Sequence, residues 1–211
     1  MTAEAITAIT DFLLAAEALF LAGRMTARPK DRFSAAWYFC GVLLLLGMAA
    51  LLGGIDHGFV RPANLSRYLV QRSDWMVLGG VTFCLLMTTA KQFFPLKWQR
   101  VASIVAAVQF VGYAVAVLLA DSFAVVVLNY SPIMLLLLTM NIIGLRSGLG
   151  SRQMVAGILI LFLASGIQAA GINTFAPLDR NGLYHVVSML GVGFMYLGGK
   201  RLTTKSVRYA T

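Results

Sequence analysis

Residues 33–57 read Phe-Ser-Ala-Ala-Trp-Tyr-Phe-Cys-Gly-Val-Leu-Leu-Leu-Leu-Gly-Met-Ala-Ala-Leu-Leu-Gly-Gly-Ile-Asp-His, with no charged side chain before Asp56 and His57. A helix rises 1.5 Å per residue, so about 20 apolar residues cross a bilayer core. This run is longer than that and predicts a spanning helix with room to tilt. The rest of the chain has the same character. Of 211 residues, 59% are hydrophobic and 12% charged, whereas a soluble domain is about a quarter charged. A mean hydropathy of +0.82 leaves too little polar surface for a soluble core of this size.

Seven such runs are legible, at about residues 6–22, 33–57, 68–90, 101–120, 122–145, 154–173 and 181–199. They are continuous and do not alternate apolar with polar, which excludes a β-barrel. The expected fold is an all-α integral membrane protein, a single seven-helix bundle without a separate domain. Pro132 falls inside the fifth run and is expected to kink or open its helix. Gly79, Gly80, Gly191 and Gly193 suit close helix packing. Cys40 and Cys84 lie in apolar runs as small hydrophobes, with no CxxC motif. No basic n-region or small-residue cleavage site precedes the first run, so it is expected to stay as a helix.

Basic residues set the expected orientation. Arg24, Arg28, Lys30 and Arg32 fall in the first loop, Lys91, Lys97 and Arg100 in the third, Arg146 and Arg152 in the fifth, and Lys200, Arg201, Lys205 and Arg208 in the tail. The opposite side holds only Arg61, Arg67, Arg72 and Arg180. Positive charge marks the cytoplasmic side, so the N-terminus is expected outside and the C-terminus inside, in a plasma membrane of bacterial inner-membrane type. The net charge of +9 follows from this bias, with membrane lipids as partners. No aromatic-interleaved basic domain is present to bind nucleic acid.

The stretch Asp179-Arg180-Asn181-Gly182-Leu183-Tyr184-His185 opens the last run and holds one of only two histidines; the other, His57, closes the second run. On this topology Asp11, His57, Asp74 and His185 fall in one outer layer, with Asn129, Tyr130, Gln168 and Asn181 near it and Glu17 deeper. An ionisable group inside a span costs a few kcal/mol, so it normally faces the bundle interior with a partner. Each residue also has a plain role: His57 and Asp56 as markers of the headgroup boundary, Asp74 as partner of Arg72, Asp11 at a helix start, Tyr184 and His185 as interfacial anchors.

Two neutral imidazoles and a carboxylate make a three-ligand zinc site with an open position for water, and the metal would turn that water into a nucleophile. His57, His185 and Asp74 are the candidate ligands. Asp11 is the candidate base, with Asp74 able to share that role and Glu17, Asn129, Tyr130, Gln168 and Asn181 as supporting polar groups. No GxSxG, HExxH, P-loop or GxGxxG pattern points to other chemistry.

Gly53-x-x-x-His57, Asp74 and Asn181-x-x-x-His185 together resemble the motifs of the CREST superfamily of seven-helix membrane hydrolases, which includes alkaline ceramidases, progestin and adipoQ receptors and hemolysin III proteins. Those families carry Ser-x-x-x-His, an Asp on the next helix and His-x-x-x-His on the last, with three histidines on zinc. Here glycine stands for the serine and asparagine for the first histidine of the last pair, and Asp11 or Glu17 for the acidic residue of the first helix. The resemblance implies a zinc-dependent amidase or esterase acting on a lipid, with a degenerate ligand set. Two other readings stand beside it: a membrane lipid or small-ligand binder or sensor that keeps the fold, and a proton, ion or solute transporter using the intramembrane carboxylates.

Overall fold

Each apolar run becomes one helix. The computed structural model describes residues 2–28, 30–60, 65–173 and 176–205; Arg61 and Arg208 of the charge argument lie outside them. The described residues form α1 (Ala3–Thr26), α2 (Ala35–Phe59), α3 (Leu65–Phe93), α4 (Leu96–Leu119), α5 (Ala124–Gly144), α6 (Arg152–Ala169) and α7 (Arg180–Gly199), with no strand among them. All seven are long and apolar enough to cross a membrane.

The starts are written locally. Ser34, Ser151 and Asp179 cap α2, α6 and α7 by accepting from the amides of Trp37, Met154 and Gly182 at 3.2, 3.3 and 2.8 Å. Such a cap satisfies a helical amide that otherwise has no partner. Pro95 precedes α4, where a missing amide is harmless.

The helix ends depart from the apolar windows for physical reasons. α3 begins three residues before its window and ends three after it, because hydrogen-bonded propagation continues past the apolar stretch once a helix has formed. α6 stops at Ala169, short of the expected Asn173. Gly171 takes φ +67°, and the amides of Gly171 and Ile172 turn back to the carbonyls of Gln168 and Ile167 at 3.1 and 3.2 Å. This is a glycine-terminated helix end. α5 runs unbroken through Pro132, so no opening of that helix occurs there.

Six helices close a ring in which α1 packs on α2 and α7, α2 on α3, α3 on α5, α5 on α6 and α6 on α7. α4 stands outside this ring against α3 and α5. Its outer face is apolar and bare: Ile104, Val108, Val111, Leu118 and Leu119 are all exposed. Exposed apolar surface on this scale needs an apolar solvent. On α1 the buried positions Thr7, Thr10, Asp11, Leu14, Ala18, Ala22 and Met25 follow one helical stripe, and the three nearest the start of the helix are polar. At the other end of the bundle, buried Gln92 donates to the Leu149 carbonyl and accepts from the Thr203 amide, both at 2.9 Å, which ties α3, the α5–α6 turn and the C-terminal segment together.

Candidate functional site

The helices alternate in direction, so the first half of α1, the end of α2, the start of α3, the end of α6 and the start of α7 meet at one end of the ring. There they surround a cavity of about 490 Å³. Asp11, His57, Asp74, Gln168, Asn181 and His185 all line it. Glu17, Asn129 and Tyr130 are outside its lining. Asn129 instead accepts from Gln109 of α4 at 2.9 Å, and the Tyr130 hydroxyl meets the Ser165 hydroxyl at 3.0 Å. Glu17 lies near Gly193 of α7, with one carboxyl oxygen buried and unbonded.

His185 is the centre of the site. Its Nε2 lies 3.1 Å from Asp11 Oδ1, and its Nδ1 lies 3.0 Å from the Thr10 hydroxyl. Asp11 and His185 are 4% and 8% exposed, so both bonds are shielded from water. The Thr10 hydroxyl has one proton and donates it to the Thr7 carbonyl at 2.8 Å. At Nδ1 it must therefore accept, so Nδ1 carries a hydrogen. The contact between Nε2 and Oδ1 then needs one further proton, held either by the imidazole or by the carboxyl. Asp11 and His185 are a proton-sharing pair.

The same strip of α1 fixes the start of α7. The Thr7 hydroxyl donates to Asp179 Oδ1 at 3.0 Å, the atom that also caps α7. Thr7, Thr10 and Asp11 thus grip Asp179 and His185, and the stretch that opens the last helix is held from its cap to its imidazole. The spacing of Thr7, Thr10 and Asp11 on one helical face was readable in the sequence; their partners on α7 were not. Asp11 also lies flush against α2, because a Cβ placed on Gly53 would meet its carboxyl atoms at 3.2–3.4 Å.

Around this pair the cavity carries mixed charge. Asp56 sits 3.5 Å from Arg67. Asp74 and Arg180 line the wall apart from those two pairs, together with Gln71, Trp75 and Tyr184. Gln168 donates to Asn181 at 3.2 Å. Asp74 is not the partner of Arg72. The buried Arg72 guanidinium donates to the Ala120 carbonyl at 2.7 Å and to Asp121 at 2.8 Å, and it stacks over Tyr68 and Trp75. The reason is direction: Arg72 points across to the α4–α5 turn, and Asp74 points into the ring.

This geometry limits the chemistry. A zinc ligand needs a free imidazole lone pair, and both nitrogens of His185 are engaged with protein. Among the described residues no group of three or more His, Cys, Asp or Glu side chains is arranged to hold a metal. As placed, His185 therefore offers a metal no nitrogen that is free of a protein partner. Asp11, His185 and Thr10 have the composition of a nucleophile with its base and orienting acid. Thr10, however, is 5% exposed, gives its proton to a backbone carbonyl and does not line the cavity, so it is a structural hydroxyl.

Residues 6–204 match a family of unknown function (DUF6962). No curated protein and no solved structure matches the chain.

Proposed function

The chain belongs to that family, which brings no activity with it, and from this premise we propose that the protein is a membrane receptor or sensor for a small zwitterionic ligand such as a lipid headgroup. The observation that carries this reading is the division of charge in the cavity. Asp11 is spent on His185 and Asp56 on Arg67. Among the described residues, Asp74 and Arg180 are the carboxyl and the guanidinium of the lining that neither of these pairs uses, and the proposal gives them to the ligand. A cavity of about 490 Å³ lies within the ~300–1,000 Å³ range of small-molecule sites. Trp75 and Tyr184 supply apolar walls beside these charges. Orientation belongs to the same proposal: thirteen of the 17 basic residues fall on one side in the sequence, which puts the cavity outside.

Glycerophosphoethanolamine, with a cationic amine and an anionic phosphodiester, is the matching probe. Purified protein is expected to bind it with Asp74→Asn and Arg180→Gln each weakening the affinity roughly tenfold, the loss of one charge-assisted hydrogen bond. Sealed right-side-out vesicles are expected to bind it without permeabilisation. Equal binding by wild type and both variants would sink the reading; binding only after permeabilisation would reverse the orientation.

The CREST-like hydrolase is the second reading, favoured by the presence of His57, Asp74, Asp11 and His185 around one cavity. It asks His185 to exchange a protein hydrogen bond for the metal. Metal analysis of purified protein decides it: about one zinc per chain, lost in His185→Ala, is the expected result for such a site. Zinc that is absent, or fully retained by the variant, rules it out.

A further inference from the structure

At the opposite end of the bundle, where α1 and α7 both terminate, a second cavity of about 330 Å³ is lined by Arg24, Ala27, Arg28, Tyr196 and Lys200. Its lining has three cations, one aromatic ring and no carboxylate; Asp31 of the same loop is not part of it. Cations near helix C-termini have an ordinary use, which is to meet the last carbonyls and the negative end of the dipole. Here another residue takes much of that task. Lys30 Nζ donates to the carbonyls of Met25, Thr26 and Arg28 at 2.6, 3.3 and 3.0 Å.

Among the described residues Arg28 makes one side-chain hydrogen bond, from Nη1 to the Lys200 carbonyl at 3.1 Å. A guanidinium carries five N–H donors in a planar fork, so Arg28 is positioned with donors to spare. The Lys200 ammonium is steered by the Tyr196 ring, 5.6 Å from its centroid. Arg24 comes from the last turn of α1. Three like charges gathered around one small space repel one another, and an anion among them adds attractions that offset that repulsion. Two guanidinium forks and an ammonium match an anion with several oxygens around one centre.

We infer that this cavity is a binding site for a phosphoryl oxyanion, supplied by an anionic phospholipid headgroup or by free phosphate. The inference stands apart from the proposed receptor site: it uses other residues at the other end of the helices.

The test is displacement of a fluorescent phosphatidylglycerol from the full chain in phosphatidylcholine nanodiscs, by unlabelled phosphatidylglycerol, phosphatidylcholine or inorganic phosphate. Wild type is expected to prefer phosphatidylglycerol over phosphatidylcholine roughly tenfold. The double variant Arg24→Gln, Arg28→Gln is expected to lose that preference, while Arg146→Gln, Arg152→Gln, with the same two charges removed elsewhere on that end, keeps it. Arg24→Gln alone leaves the Arg28–Lys200 bond in place and is expected to lose part of the preference with an unchanged melting temperature. Displacement by inorganic phosphate assigns the free anion as the source, and displacement by phosphatidylglycerol alone assigns the lipid. The inference is overturned if no phosphoryl ligand competes, or if the two double variants weaken binding equally, which is the behaviour of diffuse surface charge.

Discussion

His185→Ala is expected to lower the unfolding free energy by about 3 kcal/mol, and Asp11→Asn by only about 1 kcal/mol. The alanine removes a buried ring, opens a void between α1 and α7, and leaves Asp11 with neither carboxyl oxygen bonded; Oδ2 is already without a hydrogen-bond partner. An uncompensated buried acid is costly in charged or neutral form. Asparagine behaves differently because Nδ1 of His185 holds its hydrogen against Thr10. The neutral ring then presents a lone pair at Nε2, and the asparagine amide donates to it. The measurement is thermal or denaturant unfolding of purified protein in detergent, with folded fraction followed for both variants. Equal loss in Asp11→Asn and His185→Ala would mean that the pair is held by full charges and not by a shared proton. The hydrogen-bond account of the site would then fail.

Gly157→Val is expected to cost about 3 kcal/mol or more, at the upper end of overpacking effects. A Cβ at position 157 of α6 would sit 2.7 Å from the Gly191 carbonyl oxygen and 2.7 Å from the Met195 amide of α7. Those are backbone atoms, which cannot step aside as a side chain can. From the other face, a Cβ on Gly191 would meet Leu161 at 2.8 Å and the Gly157 carbonyl at 3.1 Å. The two helices therefore touch through their backbones, as small residues allow in a bilayer. This seam sets the height and rotation of α7, and so where Asn181, Tyr184 and His185 enter the cavity. Gly166 lies on the same helix with nothing within 4 Å of its would-be Cβ. Gly166→Ala is expected to be neutral or to stabilise by up to about 1 kcal/mol through helix propensity. Melting temperatures of the two variants in one detergent check both; similar values would show that the α6–α7 contact is looser than the structure has it.

The candidate residues divide in an instructive way. Asp11, His57, Asp74 and His185 are recognisable because ionisable groups are rare inside apolar runs, and up-and-down topology then brings them to one end. Asn129 and Tyr130 satisfy the same depth argument and yet serve α4 and α6. Depth follows from counting residues along a helix; the direction in which a side chain points depends on helix rotation, which a uniformly apolar run does not encode. The same limit explains Arg72. Sequence proximity suggests Asp74, whereas the guanidinium reaches Asp121 and the Ala120 carbonyl across the α4–α5 turn.

What the chain's order of residues determined alone was the number of helices, their approximate ends and the side on which positive charge collects. These follow from hydropathy over about 20 residues and from short-range capping, both local properties. Tertiary structure decided that α4 stands outside a six-helix ring, that both nitrogens of His185 are taken by Thr10 and Asp11, and that Asp74 and Arg180 remain to face the cavity. Those outcomes depend on which glycine lies against which backbone and on how seven apolar cylinders rotate about their own axes. In an apolar solvent, hydrophobicity favours no face of such a helix, so close packing and a few buried hydrogen bonds make the choice.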